Sequence, residues 1–359
     1  MNTNSQLTSR ERVRLALAHQ TTDRIPIAMV CAGINPPAAA ALDDLLRRGR
    51  GLNLASWLRS FIDIRGVAPR YIGPPLPPGV DIWGVRRAAV SYGAGAYDEI
   101  VGYPLAETRS PADLAQQRWP NTDWFDYPSL RDSIAAAQAD GEHCLMLANG
   151  NIFESAWYMR GFERLLLDFT INPELAHALL ARVADFHIAH FRRMLEVANG
   201  AVDLAFTADD IAGQRGLLLS LDMWERFIKP HHMRLNKTIH EFGVKVIYHS
   251  DGGVMRAVPG LIDMGIDVLQ ALQFSARGMD PAALKRDFGG RLCFEGGVSV
   301  QTTLPFGTPD DVRAEVESLI ATLGRDGGYI LGPSHAIQAG TPPENILAMF
   351  DTALGFYPY

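Results

Sequence analysis

The chain has few cysteines. Cys31, Cys144 and Cys293 are the three among 359 residues, and no C-x-x-C pair occurs. An odd, scattered set excludes a disulfide framework and points to a reducing compartment. Long apolar runs are also missing, since no window approaches the roughly 18 uncharged residues that a membrane helix needs. No membrane partner is expected, and cytoplasm is the expected location. The start, Met1–Gln6, is polar with no apolar stretch, so no signal peptide is expected. Basic clusters are scarce; the nearest is Arg47, Arg48 and Arg50, and 33 basic against 40 acidic residues leave a net charge of −7. Nucleic-acid binding rests on several clustered cations, so no such partner is expected. The 33 glycines show no three-residue period, and 47% apolar residues exclude a disordered chain.

What is present is alternation. Apolar strand-like runs occur at 25–31, 65–71, 143–149, 202–207, 244–249, 266–272, 291–295 and 328–332. Helical patterns cover 36–62, 154–168, 173–198, 222–242, 254–264, 280–287, 308–323 and 343–354. Continuous apolar strands alternating with helices mean a parallel sheet buried on both faces. Eight strand–helix units predict an α/β chain folded as a single (β/α)8 TIM barrel over residues 1–359. Two additions are expected: an N-terminal helical extension over 1–24 and a hairpin excursion over 72–103, rich in aromatics. Trp119, Trp124, Phe125 and Tyr127 are expected to staple a loop onto the barrel.

Barrel chemistry lies where strands give way to loops at the C-terminal rim. Reading outward from the strands after residue 140 gives Asn149, then Asp209 and Asp210, then His249-Ser250-Asp251-Gly252-Gly253, Gln273, Glu295 and His335. Four of these six ends carry Asp, Glu or His. His249 and Asp251 are two apart and share one face of a regular strand. With His335 they offer two imidazoles and a carboxylate, the donor set of a divalent metal with open positions, zinc first among candidates. Glu295 fits a fourth ligand, a base or a structural ion pair. Asp209 and Asp210 fit a helix cap as well as catalysis. Asn149, Asp210 and Gln273 are candidates for binding polar groups of a small-molecule substrate. Cys31 and Cys293 read as inert strand residues.

Several segments together resemble the uroporphyrinogen decarboxylase superfamily. They are Leu7–Val13 with Asp23-Arg24-Ile25-Pro26, Leu105 through Pro120, Tyr158-Met159-Arg160-Gly161-Phe162-Glu163, and Asp209-Asp210. Lys229-Pro230, Gly278-Met279-Asp280-Pro281, Gly327–Leu331, His335–Gln338 and Pro342–Ile346 extend the resemblance over nearly the whole chain. It implies one (β/α)8 barrel, and its relatives are often dimers, so a homodimer is an expectation. The decarboxylases of this superfamily carry an arginine-rich loop that grips substrate carboxylates. Here the matching place reads Cys31-Ala32-Gly33-Ile34-Asn35-Pro36, without arginine. An anionic tetrapyrrole would lose its bidentate partners. The corrinoid methyltransferases of the superfamily carry zinc on a His-x-Cys pair and a distant Cys. The sequence is closer to this branch, with His249-Ser250-Asp251 at the pair and His335 at the distant place. Replacing two thiolates by Asp251 and His335 leaves zinc a stronger Lewis acid, suited to activating oxygen. The resemblance therefore implies O-demethylation of a methoxylated small molecule, with the methyl passing to a corrinoid on a partner protein. In that scheme Glu295 or Asp209 gives acid–base or hydrogen-bonding help. A metal-dependent hydrolase or lyase on the same site, and a decarboxylase of another acid, stay open as alternatives.

Overall fold

The computed structural model describes residues 7–31, 33–93 and 95–355. Seven strands form one sheet: β1 (Ile64–Val67), β2 (Cys144–Asn151), β3 (Leu204–Ala208), β4 (Lys245–His249), β5 (Val268–Gln270), β6 (Cys293–Val298) and β7 (Tyr329–Pro333). Each pairs in parallel with its neighbour in the chain. Helices separate successive strands, so the architecture is α/β with a seven-stranded, curled parallel sheet.

The expected strand over 25–31 is reduced to one parallel bridge, Ile27 with Leu331. Pro26 lacks an N–H, which interrupts a ladder there. The segment still meets both edges of the sheet. Ala28 N–H donates to Leu331 and Leu331 N–H to Pro26, while Asp63 N–H, beside β1, donates to Ile27. The run expected over 65–71 ends at Val67, ahead of Pro69; Arg70–Tyr71 pairs instead with Phe125–Asp126 in antiparallel fashion. Three expected helices are broken. Residues 36–62 divide into Pro36–Arg50 and Leu54–Arg59, because Gly51 turns left-handed and Asn53 caps the second piece. Residues 154–168 belong to two helices that part at Gly161, whose φ of 93° no L side chain adopts readily. Residues 222–242 part at Ile228, just ahead of Pro230.

The sheet interior is filled by Ala28, Ile64, Met146, Phe206, Ile247, Val268, Cys293 and Ile330. Helix α1 (Ser9–Leu17) covers the N-terminal ends of the strands with Val13 and Ala16. Arg12 anchors it by bonding Asp63, which is fully buried and also accepts from Arg24 and the Ile27 N–H. With one end of the sheet plugged, the other is left for chemistry. The excursion is an antiparallel hairpin, Arg86–Ser91 with Ala96–Gly102. Trp119, Phe125 and Tyr127 pack around the helix Pro173–Ala198 through Phe186, His190 and the Arg182 guanidinium.

Candidate metal centre at the strand ends

His249 ends β4, and the tight turn after it carries Asp251 back over the rim. That turn is pinned twice: Asp251 N–H donates to Asp210 Oδ1 at 2.7 Å, and Gly252 N–H donates to Gln273 Oε1 at 2.8 Å. Gln273 is in turn held by Gln214 and Gln301. His335 follows β7 and faces the same space.

His249 Nε2 lies 3.7 Å from Asp210 Oδ1 and 4.0 Å from Asp251 Oδ1, and His335 Nε2 lies 3.8 Å from Asp251 Oδ2. These gaps are too long for hydrogen bonds. They are close to the edge of a tetrahedron built on zinc bonds of about 2.0–2.3 Å, which is roughly 3.3–3.7 Å. The tautomer also fits. His249 Nδ1 bonds the Gln270 side-chain oxygen, which can only accept, so Nδ1 carries the proton and Nε2 keeps its lone pair toward the cluster. The two Asp251 distances run to different oxygens, and the compact donor groups among the described residues are Asp210, His249 and Asp251 on one side and Cys31, His249 and His335 on the other; His249, Asp251 and His335 do not by themselves form one such group.

The field at this rim is negative. Burial raises the Asp251 carboxyl, His249 pulls it down, Asp210 pushes it up and His335 pulls it down again. Glu154, from the helix α2 (Phe153–Arg160), is pushed up to about 8 by burial and by Asp210 and Asp209. Its oxygens accept from Asn151 Nδ2 at 2.6 Å and Tyr158 Oη at 2.8 Å. A protonated carboxyl thus sits beside the cluster near neutral pH.

Asp209 is fully buried, and its oxygens accept the N–H groups of Phe153 and Glu154, both at 2.8 Å, and a short bond from His232. It holds the start of α2 against the end of β3. Asn149 lies exposed at the end of β2, where pairing with β3 shifts register between Leu147 and Gly150. It is not among the residues lining the cavity below.

Glu295 is fully buried on β6, under the cluster. Neither oxygen has a hydrogen-bond partner among the described residues; Gln270 lies near enough to lower its pKa, though outside bonding geometry. Burial pushes the carboxyl up to about 8. Gly332 on the neighbouring strand leaves the space it uses, since a Cβ there would sit 2.7 Å from Glu295 Oε1. The folded-state pKa lies above the ordinary 4.5, so the unfolded chain releases this proton first as pH rises. Stability is therefore lost between about pH 4.5 and 8, at up to about 1.4 kcal/mol per pH unit. In the metal-free protein, wild type is expected to lose about 3 kcal/mol more than Glu295→Gln between pH 5 and pH 8. Urea unfolding at the two pH values checks this, and equal losses would count against a neutral Glu295.

Four groups escaped the reading of strand ends. Cys31 is brought beside His249 and His335, with its ligand atom and theirs all within 4.8 Å of one another. Burial and the neighbouring Asp251, Glu295, Asp210 and Glu154 push its thiol up to about 12. Cys31 closes the 25–31 run, where the rule of reading the residue at the strand end applied equally well. Gln270 lies across from His249 in register, inside a strand and not after it. Glu154 sits on a helix, and its nearness to Asp210 had no signal in spacing. Tyr97 reaches the rim from the hairpin. A cavity of about 240 Å³ opens over the cluster, lined by Tyr97, Asp251, Gln273, Val300, Gln301, Ser334, His335 and Gln338. Among the described residues, no helix is long and apolar enough to cross a membrane.

A family model described as uroporphyrinogen decarboxylase (URO-D) matches residues 99–355. A methylated-thiol–coenzyme M methyltransferase of Methanosarcina mazei is 29% identical over 196 residues, 55% of this chain and 49% of that protein. A uroporphyrinogen decarboxylase of Crocosphaera subtropica is 26% identical over 186 residues, 51% of this chain and 48% of that protein. The chain thus spans about half the length of these two relatives. Among solved structures, a methyltransferase from Methanosarcina mazei superposes with a TM-score of 0.67 at 20% identity, covering 97% of this chain and 98% of its own. The two share a fold.

Proposed function

Because this chain belongs to the uroporphyrinogen decarboxylase family, we propose that it is a metal-dependent methyltransferase that removes a methyl group from a methoxylated small molecule and passes it to a corrinoid protein. The observation that carries this reading is that Asp251 reaches within 4.0 Å of His249 and 3.8 Å of His335 through its two oxygens, where two compact donor groups share His249. His249, Asp251 and His335 would hold zinc, which would supply Lewis-acid polarisation of an ether oxygen. A reduced corrinoid on the partner protein would supply the methyl acceptor, and the departing oxygen would keep the electron pair of the O–CH3 bond and take up a proton.

The chain's own residues prepare that exchange. Gln270 fixes the His249 tautomer. Asp210 and Gln273 hold the Asp251 turn. Glu154 and Glu295 keep protons in the pH range where the leaving oxygen needs one. Asp209 gives hydrogen-bonding help by setting the start of α2 that bears Glu154. Tyr97 and the hairpin roof the cavity, Gln273 lines it, and Asn149, exposed near the end of β2, meets the substrate or the partner. We also read residues 25–28 as the eighth stave that closes the sheet into one (β/α)8 barrel, since the segment bonds β7 on one side and the residue before β1 on the other. Residues 7–24 are then the described part of the expected 1–24 extension and plug its base, residues 1–6 lying outside the described residues, and 72–103 is an excursion over its mouth.

The cavity lining has no arginine, which speaks against a polyanionic tetrapyrrole as substrate. The test is turnover of methoxylated aromatics and aliphatics with a reduced corrinoid protein, with and without added zinc. Methyl appearing on cobalt only when zinc is present supports the proposal. Zinc-dependent product release without any corrinoid would replace it with hydrolysis or elimination, and zinc-independent turnover would overturn it.

A further inference from the structure

We infer that Cys31 is a ligand of the same metal, giving a site of two imidazoles, one carboxylate and one thiolate. The inference rests on the metal reading above and adds a donor to it.

The first support is placement. Cys31 Sγ, one ring nitrogen of His249 and one of His335 lie mutually within 4.8 Å. His249 belongs to this triad and also to a second one with Asp210 and Asp251, and Asp251 Oδ2 lies 3.8 Å from His335 Nε2, so the two triads adjoin along the same rim. The second support is independent of side chains. Cys31 is clamped to the His335 loop by main-chain bonds before and after it. Ala28 N–H donates to Leu331 on one side of it; on the other, Ile337 N–H donates to Gly33 and Asn35 N–H to Ile337. Ile34 and Ile337 form a parallel bridge as well. The segment carrying the thiol therefore runs alongside the segment carrying the imidazole, and their separation is fixed by backbone. A third support is contrast. Cys144 and Cys293 are buried in the sheet interior, while Cys31 alone is half-buried at the rim.

The chemistry is consistent. Thiolate is a preferred zinc ligand, and a four-coordinate site can expand to admit a fifth donor, so a substrate oxygen can still enter. A thiolate also returns part of the electron donation that the absence of cysteine at 251 and 335 removes. The site would then be less electron-poor than two imidazoles and a carboxylate alone.

X-ray absorption at the zinc edge tests this on the full chain loaded with one equivalent of zinc. Wild type is expected to show one sulfur at about 2.3 Å. Cys31→Ser is expected to lose that sulfur shell while keeping nitrogen and oxygen ligands, and to bind zinc about tenfold or more weakly. Zinc bound through nitrogen and oxygen alone in wild type would overturn the role of Cys31 and leave the metal reading standing. No stoichiometric zinc in wild type would overturn both. A second measurement does not depend on how the variant folds. Cobalt(II) added to native wild type is expected to give a near-ultraviolet thiolate-to-metal charge-transfer band that zinc abolishes by displacing the cobalt. A cobalt spectrum without that band would count against ligation.

Discussion

Replacing His249 with alanine is expected to abolish stoichiometric metal binding and to lower turnover by about 10³-fold or more, with the fold intact. The size follows from what a Lewis acid supplies to a leaving oxygen, several kcal/mol of charge stabilisation, at about 1.4 kcal/mol per decade of rate. The choice of residue follows from geometry. His249 is shared by both compact groups of potential ligands found among the described residues, so its loss breaks both. Its side chain bonds only Gln270 among the described residues and packs beside Phe206 and His335, so its loss leaves a small gap at the rim and not a hole in the core. Metal analysis, circular dichroism and turnover on the same preparation check the three parts together. Unchanged metal content and turnover in this variant would remove the basis for a metal enzyme.

Asp209→Ala is expected to cost about 3 kcal/mol or more of stability, since each buried donor left without an acceptor costs about 1–3 kcal/mol. Two main-chain N–H groups at the start of α2 and the buried His232 ring would lose their acceptor together, in a place water does not reach. Asp210→Ala, one residue on and about a third exposed at its side chain, is expected to cost far less stability while loosening the Asp251 turn. Urea unfolding of the two variants separates the roles. A strong loss of turnover in Asp209→Ala with unchanged stability would assign Asp209 to the chemistry itself.

Much of the site was legible because strand ends are legible. A run of apolar residues that stops at Asp, His or Glu marks a chain leaving a buried sheet for a polar rim. That reasoning reached His249, Asp251, His335, Asp209, Asp210, Gln273 and Glu295. It also treated neighbours in sequence as partners in space, and there it fell short. Asp209 and Asp210 are adjacent yet face different surroundings: one is locked into the start of α2, the other is turned toward His249. Glu154 meets Asp210 only because α2 folds back over β3, and no spacing in the chain records that. Helix breaks were partly missed for a related reason. Apolar periodicity runs straight through Gly161 and Ile228, while left-handed backbone at the first and Pro230 after the second end the helices locally.

By itself, the sequence determined the class of fold and the family, and it pointed to the rim of strand ends and to most of the candidate donor residues. These follow from local properties: hydrophobic period, strand length, and the kind of side chain that cannot stay in an apolar sheet. The tertiary structure alone decided which donors meet. Cys31 and His335 stand 304 positions apart in the chain, and they are joined because the first segment of the sheet bonds to the last. Burial also decided protonation, since Glu154 and Glu295 look like ordinary acids in sequence; both are pushed up to about 8, Glu154 by burial with Asp210 and Asp209 beside it and Glu295 by burial.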